Sequence, residues 1–162
     1  MFFKKFPKVF LLITFITIAL DQVSKILLIN FLSEARQLHI IEGFFSIVYV
    51  WNKGISFGLF NNPGTNQLFL ILMSCVIICT LTYVFIIKSS PRCIELVALG
   101  LIIGGALGNI LDRVLYGAVF DFLLFYWRQY QYPAFNIADS AICIGAFFLI
   151  YSAVISEKGE IK

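Results

Sequence analysis

Four stretches of this chain are apolar for about twenty residues each, and that pattern decides the solvent in which it folds. They run from Val9 to about Leu32, from Leu68 to Ile87, from Ile94 to about Val114 and from Ile137 to Ile155. At about 1.5 Å of helix rise per residue, each can cross the roughly 30 Å of hydrocarbon in a bilayer. A composition that is 60% hydrophobic, 17% aromatic and 13% charged points the same way. The expectation is an all-α membrane protein: one integral membrane domain over residues 1–162, four transmembrane helices and two long connections at about 33–67 and 115–136.

The window from Leu68 to Ile87 holds only Ser74, Thr80, Thr82, Cys75 and Cys79 as polar or thiol side chains, and reads as a plain membrane helix. The first window follows Lys4, Lys5 and Lys8, as a cleavable signal peptide would. Asp21 and Lys25 come instead of a small-x-small cleavage site, so the helix is expected to be retained. Lys4, Lys5, Lys8, Lys88, Arg92, Lys158 and Lys162 all fall on one side of a four-pass topology, which makes both termini cytoplasmic. The long connections, with Arg36, Lys53 and Arg128, then face outward. The net charge of +3 is thus a topology signal, and no basic cluster suggests nucleic acid as a partner. Cys75, Cys79, Cys93 and Cys143 lack zinc-like spacing and His39 is the sole histidine, so buried free thiols are expected and no metal site.

The polar residues of the helices collect at one depth. Asp21 and Lys25 lie in the outer half of helix one, Asn109, Asp112 and Arg113 at the outer end of helix three, and Asn136 and Asp139 at the outer start of helix four. A charge inside a membrane costs at least about 2.5 kcal/mol and usually faces a bundle interior or an aqueous cavity. Each group also has a structural reading. Asp21 and Lys25, at i and i+4, can neutralise each other. Asn109, Asp112 and Arg113 can form a cluster that supports a helix end. Gly100, Gly104 and Gly108 allow close helix approach, and Asn136 with Asp139 resembles a capping box.

Asp121 lacks such an excuse. It sits in GAVFDFLLFYW, where neither a cap nor a nearby basic residue accounts for it. By topology its nearest partner is Asp139. Two close carboxylates in a dry site share one proton, leaving a general base and a general acid, and such a pair can hydrolyse an amide with water. The aromatics from Tyr116 to Phe135 favour the headgroup zone, and IIEGFFSIVYVWNKGISFGLFNNPG suggests a small hairpin or sheet on the outer leaflet, two β-prone runs around Asn52-Lys53-Gly54 ending at Asn61-Asn62-Pro63-Gly64.

Five motifs in order resemble the lipoprotein signal peptidase (signal peptidase II) family: Asp21-Gln22-Val23-Ser24-Lys25, Asn52-Lys53-Gly54-Ile55-Ser56-Phe57-Gly58, Gly104 through Arg113, Val119-Phe120-Asp121-Phe122 and Phe135-Asn136-Ile137-Ala138-Asp139-Ser140. The resemblance implies a cofactor-free aspartic endopeptidase of the bacterial inner membrane that acts as a monomer. It would cleave diacylglyceryl-modified prolipoproteins on the amino side of the lipidated cysteine, would work in contact with membrane lipid, and would be inhibited by globomycin-type compounds. It implies Asp121 and Asp139 as the catalytic dyad, Asn52, Gly54, Gly105, Asn109, Arg113 and Asn136 as residues lining or supporting the substrate site, and Asp21, Lys25 and Asp112 as polar residues behind it. Ile55 and Ser56 depart from the alanines common in the family at these positions. Two other classes compete with the protease. A proton-coupled transporter would place acids near the midplane in paired half-repeats, and a non-catalytic scaffold would use its glycine-spaced helix for assembly.

Overall fold

A computed structural model describes residues 8–32, 37–54, 66–87 and 91–160. Lys4, Lys5, Arg36, Lys88, the Ile55-Ser56 pair, the Asn61–Gly64 turn and Lys162 lie outside the described residues. The elements run α1 (Lys8–Leu32), β1 (Gln37–Ile41), β2 (Phe45–Asn52), α2 (Gln67–Ile87), α3 (Cys93–Tyr116), β3 (Val119–Trp127), β4 (Tyr130–Gln131) and α4 (Ile137–Glu160). All four helices are long and apolar enough to cross a membrane, and their bounds agree closely with the four windows. Only α4 runs on well beyond its apolar window, to Glu160.

Helix α3 is the centre of the bundle, and small residues put it there. A Cβ on Gly100 would meet Ile13 at 2.9 Å, one on Gly104 would meet Thr17 at 2.7 Å, and one on Gly108 would meet the Asp21 carboxylate at 2.6 Å, so this row lies directly against α1. Gly105 faces the other way, where a Cβ would collide with the Ala138 carbonyl of α4. Gly145 returns the fit from α4, against the Ala98 carbonyl and Ile102 at 2.7 Å. Helix α2 packs on α3 through Ile78, Leu81 and Phe85, which surround the buried Phe10, Leu96, Leu99 and Ile103. The end of the bundle where α3 starts is tied by a polar clasp: Glu95 caps the Arg92 amide at 2.9 Å and accepts from the Ser152 hydroxyl of α4 at 2.9 Å.

The β-structure extends beyond the first long connection. It is a four-stranded antiparallel sheet in the order β1-β2-β3-β4, to which both long connections contribute. The hairpin between β1 and β2 turns at Glu42 to Phe44, where Gly43 takes φ 74° and the Phe44 amide donates to Ile41 O at 3.1 Å. Of the two β-prone runs expected around Asn52-Lys53-Gly54, the first is β2, which ends at Asn52, and the second lies outside the described residues. The aromatic segment after α3 is also only partly the expected headgroup belt. Trp127, Tyr130 and Tyr132 are exposed, whereas Phe120 and Phe122 are buried in the sheet, with Phe120 packed on Tyr49 and Trp51 at ring separations of 5.0 and 5.3 Å. The thiols likewise correct the expectation of burial: Cys79, Cys93 and Cys143 are exposed on outward helix faces and Cys75 is half-buried, though all four are free.

Candidate active site

The sheet delivers Asp121 to the bundle. Helix α3 ends at Gly117, whose φ of 68° is the left-handed conformation glycine adopts readily, and its N–H caps Arg113 O at 3.1 Å. The chain then enters β3, where the Phe120 amide donates to Asp112 at 3.2 Å, and β3 pairs with the end of β2 in the register Val50↔Asp121, Trp51↔Phe120, Asn52↔Val119. Returning from β4, the chain runs back beside β3, with the Phe135 N–H donating to Leu123 O at 3.1 Å and Phe135 O accepting from the Leu123 amide at 2.8 Å. That bridge sets Asn136, the next residue, against Asp121.

Asn136 holds both carboxylates. Its side-chain Nδ2 donates to Asp121 Oδ1 at 2.8 Å, and its backbone N–H donates to Asp139 Oδ2 at 3.3 Å. Its own Oδ1 accepts from the Asp139 amide at 2.9 Å, so the capping box read from the sequence forms as expected. Two more amides complete the cradle. Asn52 Nδ2 donates to Asp121 Oδ2 at 3.0 Å, and Asn109 Nδ2 to Asp139 Oδ1 at 2.9 Å. Each carboxylate therefore receives one donor on each oxygen. Both acids, with Asn52, Asn109 and Arg113, line one cavity of about 170 Å³, whose apolar walls include Ile77 of α2, Ile102 and Ala106 of α3 and Ile142 of α4.

The two acids differ in exposure. Asp121 is 2% exposed, and Asp139 is half-buried. Burial first, and then the neighbouring Asp139 charge, push the Asp121 carboxyl up to about 7, against the pull of hydrogen bonds from Asn52 and Asn136. An acid in that range can hold a proton at neutral pH and release it during a reaction.

Behind the cradle is a buried ionic layer. Lys25 Nζ lies 2.7 Å from Asp21 and 2.8 Å from Asp112, all three essentially without exposure. The i,i+4 pair read from the sequence is therefore part of a three-residue cluster closed by α3. Gln22 joins it, donating to Asp112 at 2.9 Å and to Gly108 O at 3.2 Å. This residue is one that sequence reasoning assigned no role, although it stands inside the first motif. The layer reaches the site in two ways. Asp21 Oδ1 accepts the Ala138 amide at 2.9 Å, satisfying one of the unpaired N–H groups at the start of α4, and Lys25 approaches Asn109 Oδ1 at 3.4 Å. With Lys25 and Asn136 donating to its carbonyl, Asn109 turns its NH₂ toward Asp139.

Arg113 fastens the wall of the cavity. Its guanidinium donates to Gly54 O at 2.9 Å and to Asn109 O at 3.2 Å, while the Gly54 amide donates to Asn52 Oδ1 at 2.9 Å. Gly105 has a packing role, holding α4 at contact distance one turn before Asn109. All eleven residues singled out from the sequence thus lie together, as the Asp121 and Asp139 carboxylates, their amide cradle, the wall beside them or the layer behind. Sequence reading missed the α2 contribution, Ser74 and Ile77, because nothing in a uniformly apolar helix marks which face turns toward a cavity. Among the described residues, no three of His, Cys, Asp and Glu stand together as a metal site.

The chain is similar to known proteins over most of its length. The family model described as Signal peptidase (SPase) II matches residues 13–155. A lipoprotein signal peptidase of Syntrophotalea carbinolica is 38% identical over 143 residues, covering 88% of this chain and 89% of that protein. One from Shewanella baltica is 42% identical over 141 residues, covering 86% and 82%. Among solved structures, a bacterial membrane enzyme determined by the in meso method at 2.3 Å resolution superposes with a TM-score of 0.82 at 31% identity, covering 94% of this chain and 91% of that one.

Proposed function

Since the chain belongs to the signal peptidase II family, we propose that it is an aspartic endopeptidase that removes signal peptides from diacylglyceryl-modified prolipoproteins, cutting on the amino side of the lipidated cysteine. The observation that carries the aspartic mechanism is the double hold of Asn136 on Asp121 and Asp139 at one cavity. The pair shares one proton, carried in the resting state by the more buried Asp121, and titrates as a unit.

Asp139, half-exposed to the cavity, takes a proton from water as the water oxygen attacks the scissile carbonyl carbon. Asp121 gives its proton to the carbonyl oxygen. When the tetrahedral intermediate collapses, the C–N bond breaks, the leaving nitrogen takes the proton from Asp139, and the hydroxyl proton returns to Asp121. Water is consumed and the dyad is restored. Asn52, Asn109 and Asn136 hold the carboxylates in place through these transfers, and Arg113 keeps the Asn52–Gly54 turn against α3. The enzyme sits as a monomer in the bacterial inner membrane with both termini cytoplasmic and the dyad near the outer face, where lipidated substrate and water meet.

Purified protein in lipid-containing micelles, given a diacylglyceryl-modified precursor and its unlipidated counterpart, tests the reading. The expected result is cleavage of the lipidated precursor alone, a product beginning at the lipidated cysteine, and loss of cleavage with globomycin. Equal cleavage of both precursors, or a cut elsewhere, would contradict it.

A further inference from the structure

A peptide bond presented to Asp121 and Asp139 has to be extended, because a helix keeps each amide folded into its own turn. A signal peptide that crosses the bilayer as a helix must therefore unwind beside the two acids, and every residue unwound frees a backbone N–H that hydrocarbon cannot satisfy. The cavity has to supply the acceptors, and most of those around it are already taken. Asn52 Oδ1 holds the Gly54 amide, Asn109 Oδ1 holds Lys25 and Asn136, and Asn136 Oδ1 holds the Asp139 amide. Gly54 O accepts from Arg113, and each oxygen of Asp121 and Asp139 has its own donor.

Helix α2 offers two acceptors that are not committed in this way. The Ser74 hydroxyl, on the cavity wall, spends its proton on Leu70 O at 3.0 Å and keeps its lone pairs. Gln67, half-buried at the start of α2, is two turns nearer the sheet end of the bundle. At about 100° per residue it falls within about 20° of Ser74 on the same helix face. Its Nε2 donates to Lys53 O at 2.6 Å, one residue beyond Asn52, so the donor end of the amide is used. The acceptor end is open: Gln67 Oε1 is shut off from solvent and has no hydrogen-bond partner among the described residues. An acceptor buried and left unpaired is destabilising, since neither water nor protein offsets its desolvation, and a donor brought by a ligand would relieve that cost.

We propose that Gln67 Oε1 accepts a backbone N–H of the substrate on the amino side of the scissile bond and so sets the register of the unwound strand against the dyad, with Ser74 as the acceptor two turns deeper. This rests on the prolipoprotein reading above and adds to it the residues that hold the peptide backbone. The two acceptors stand about 10 Å apart along α2, a span that about three residues of extended chain cover. A chain arriving from the bilayer core passes Ser74 before Gln67, which places the bonded N–H groups on the amino side of the cut.

The test replaces single backbone amides of a diacylglyceryl-modified precursor by esters, one position at a time on the amino side of the cut, so that one N–H is lost and every side chain is kept. At one position the ester is expected to lower kcat/KM of the wild-type protein about fivefold or more. In Gln67→Met, which keeps the length of the side chain and loses its acceptor, the same ester should change kcat/KM by less than about twofold, the sign of a direct contact. Should Gln67→Met fail to fold, Gln67→Asn, which withdraws the amide by one methylene, goes through the same cycle. Losses that simply multiply at every position would mean that Gln67 only ties α2 to the Asn52 turn, and would overturn the assignment, as would a wild-type protein indifferent to every ester. A wild-type protein that leaves the all-amide precursor uncleaved would instead sink the peptidase reading on which the assignment depends.

Discussion

Asn136 does at the residue scale what no single acid could. Its side-chain Nδ2 and its backbone N–H fix two carboxylates from different elements, and its side-chain Oδ1 caps the helix that carries one of them. The capping half was legible in the sequence, because a cap and its third-residue acid are local. The hold on Asp121 was not, since it depends on the Leu123–Phe135 bridge that folds the chain back on β3. Lys25 shows the same limit: its i,i+4 partner Asp21 could be read, its partner Asp112, 87 positions away, could not. Lys25→Met should leave two buried carboxylates without their cation and lower stability by about 3–5 kcal/mol, the usual cost of breaking a buried pair, read as a fall in thermal midpoint in detergent. Asp121 makes a pH prediction. With its folded value near 7 and its ordinary value at 3.8, the native state binds more protons than the unfolded state between those limits. Its contribution to stability is thus full below about 4 and lost as pH rises through about 7. Asp121→Asn removes that titration, so its midpoint should rise relative to wild type between pH 4 and 7 and level off above. A difference that stays flat with pH would contradict the placement of Asp121.

At the scale of elements, the helices were readable and the sheet only in outline. Length and apolarity decide a membrane helix locally, which is why α1 to α4 appear close to where the sequence puts them. Strand β3 escaped notice because VFDFLLFYW is apolar on both faces, with Phe120, Asp121 and Phe122 all buried, and so lacks the alternation that marks a half-buried strand. Without β3 the origin of Asp121's environment could not be seen. Glycine spacing, by contrast, carried real information: the row at 100, 104 and 108 meets α1, and Gly105 meets α4. Gly105→Ala should therefore push α4 away from α3 and cost about 1–3 kcal/mol through overpacking. Because α4 carries Asp139, cleavage should fall as well, with kcat reduced more than substrate binding. Wild-type kinetics in Gly105→Ala would show that the contact does not position the dyad.

The whole molecule is a three-helix packing around α3 with α2 alongside, topped at one end by a sheet that both long connections build. The polar layer, the dyad and the sheet all lie at that end, and the opposite end is closed by the Glu95–Ser152 clasp. If the sheet end faces outward, Glu42→Cys at the exposed β1–β2 turn, in a background with Cys75, Cys79, Cys93 and Cys143 replaced by alanine, should react with a membrane-impermeant maleimide in intact spheroplasts, while Lys158→Cys should react only after lysis. The reverse pattern would invert the topology. If Asp121 and Asp139 together perform the hydrolysis, it is read most directly in the cleavage rate of a diacylglyceryl-modified precursor by Asp121→Asn and Asp139→Asn, each purified and shown to be folded. Each substitution keeps the shape and removes the proton traffic, so the expected result is a loss of about 10²–10⁴-fold or more in either variant. Cleavage within a few-fold of wild type by either one would contradict the dyad.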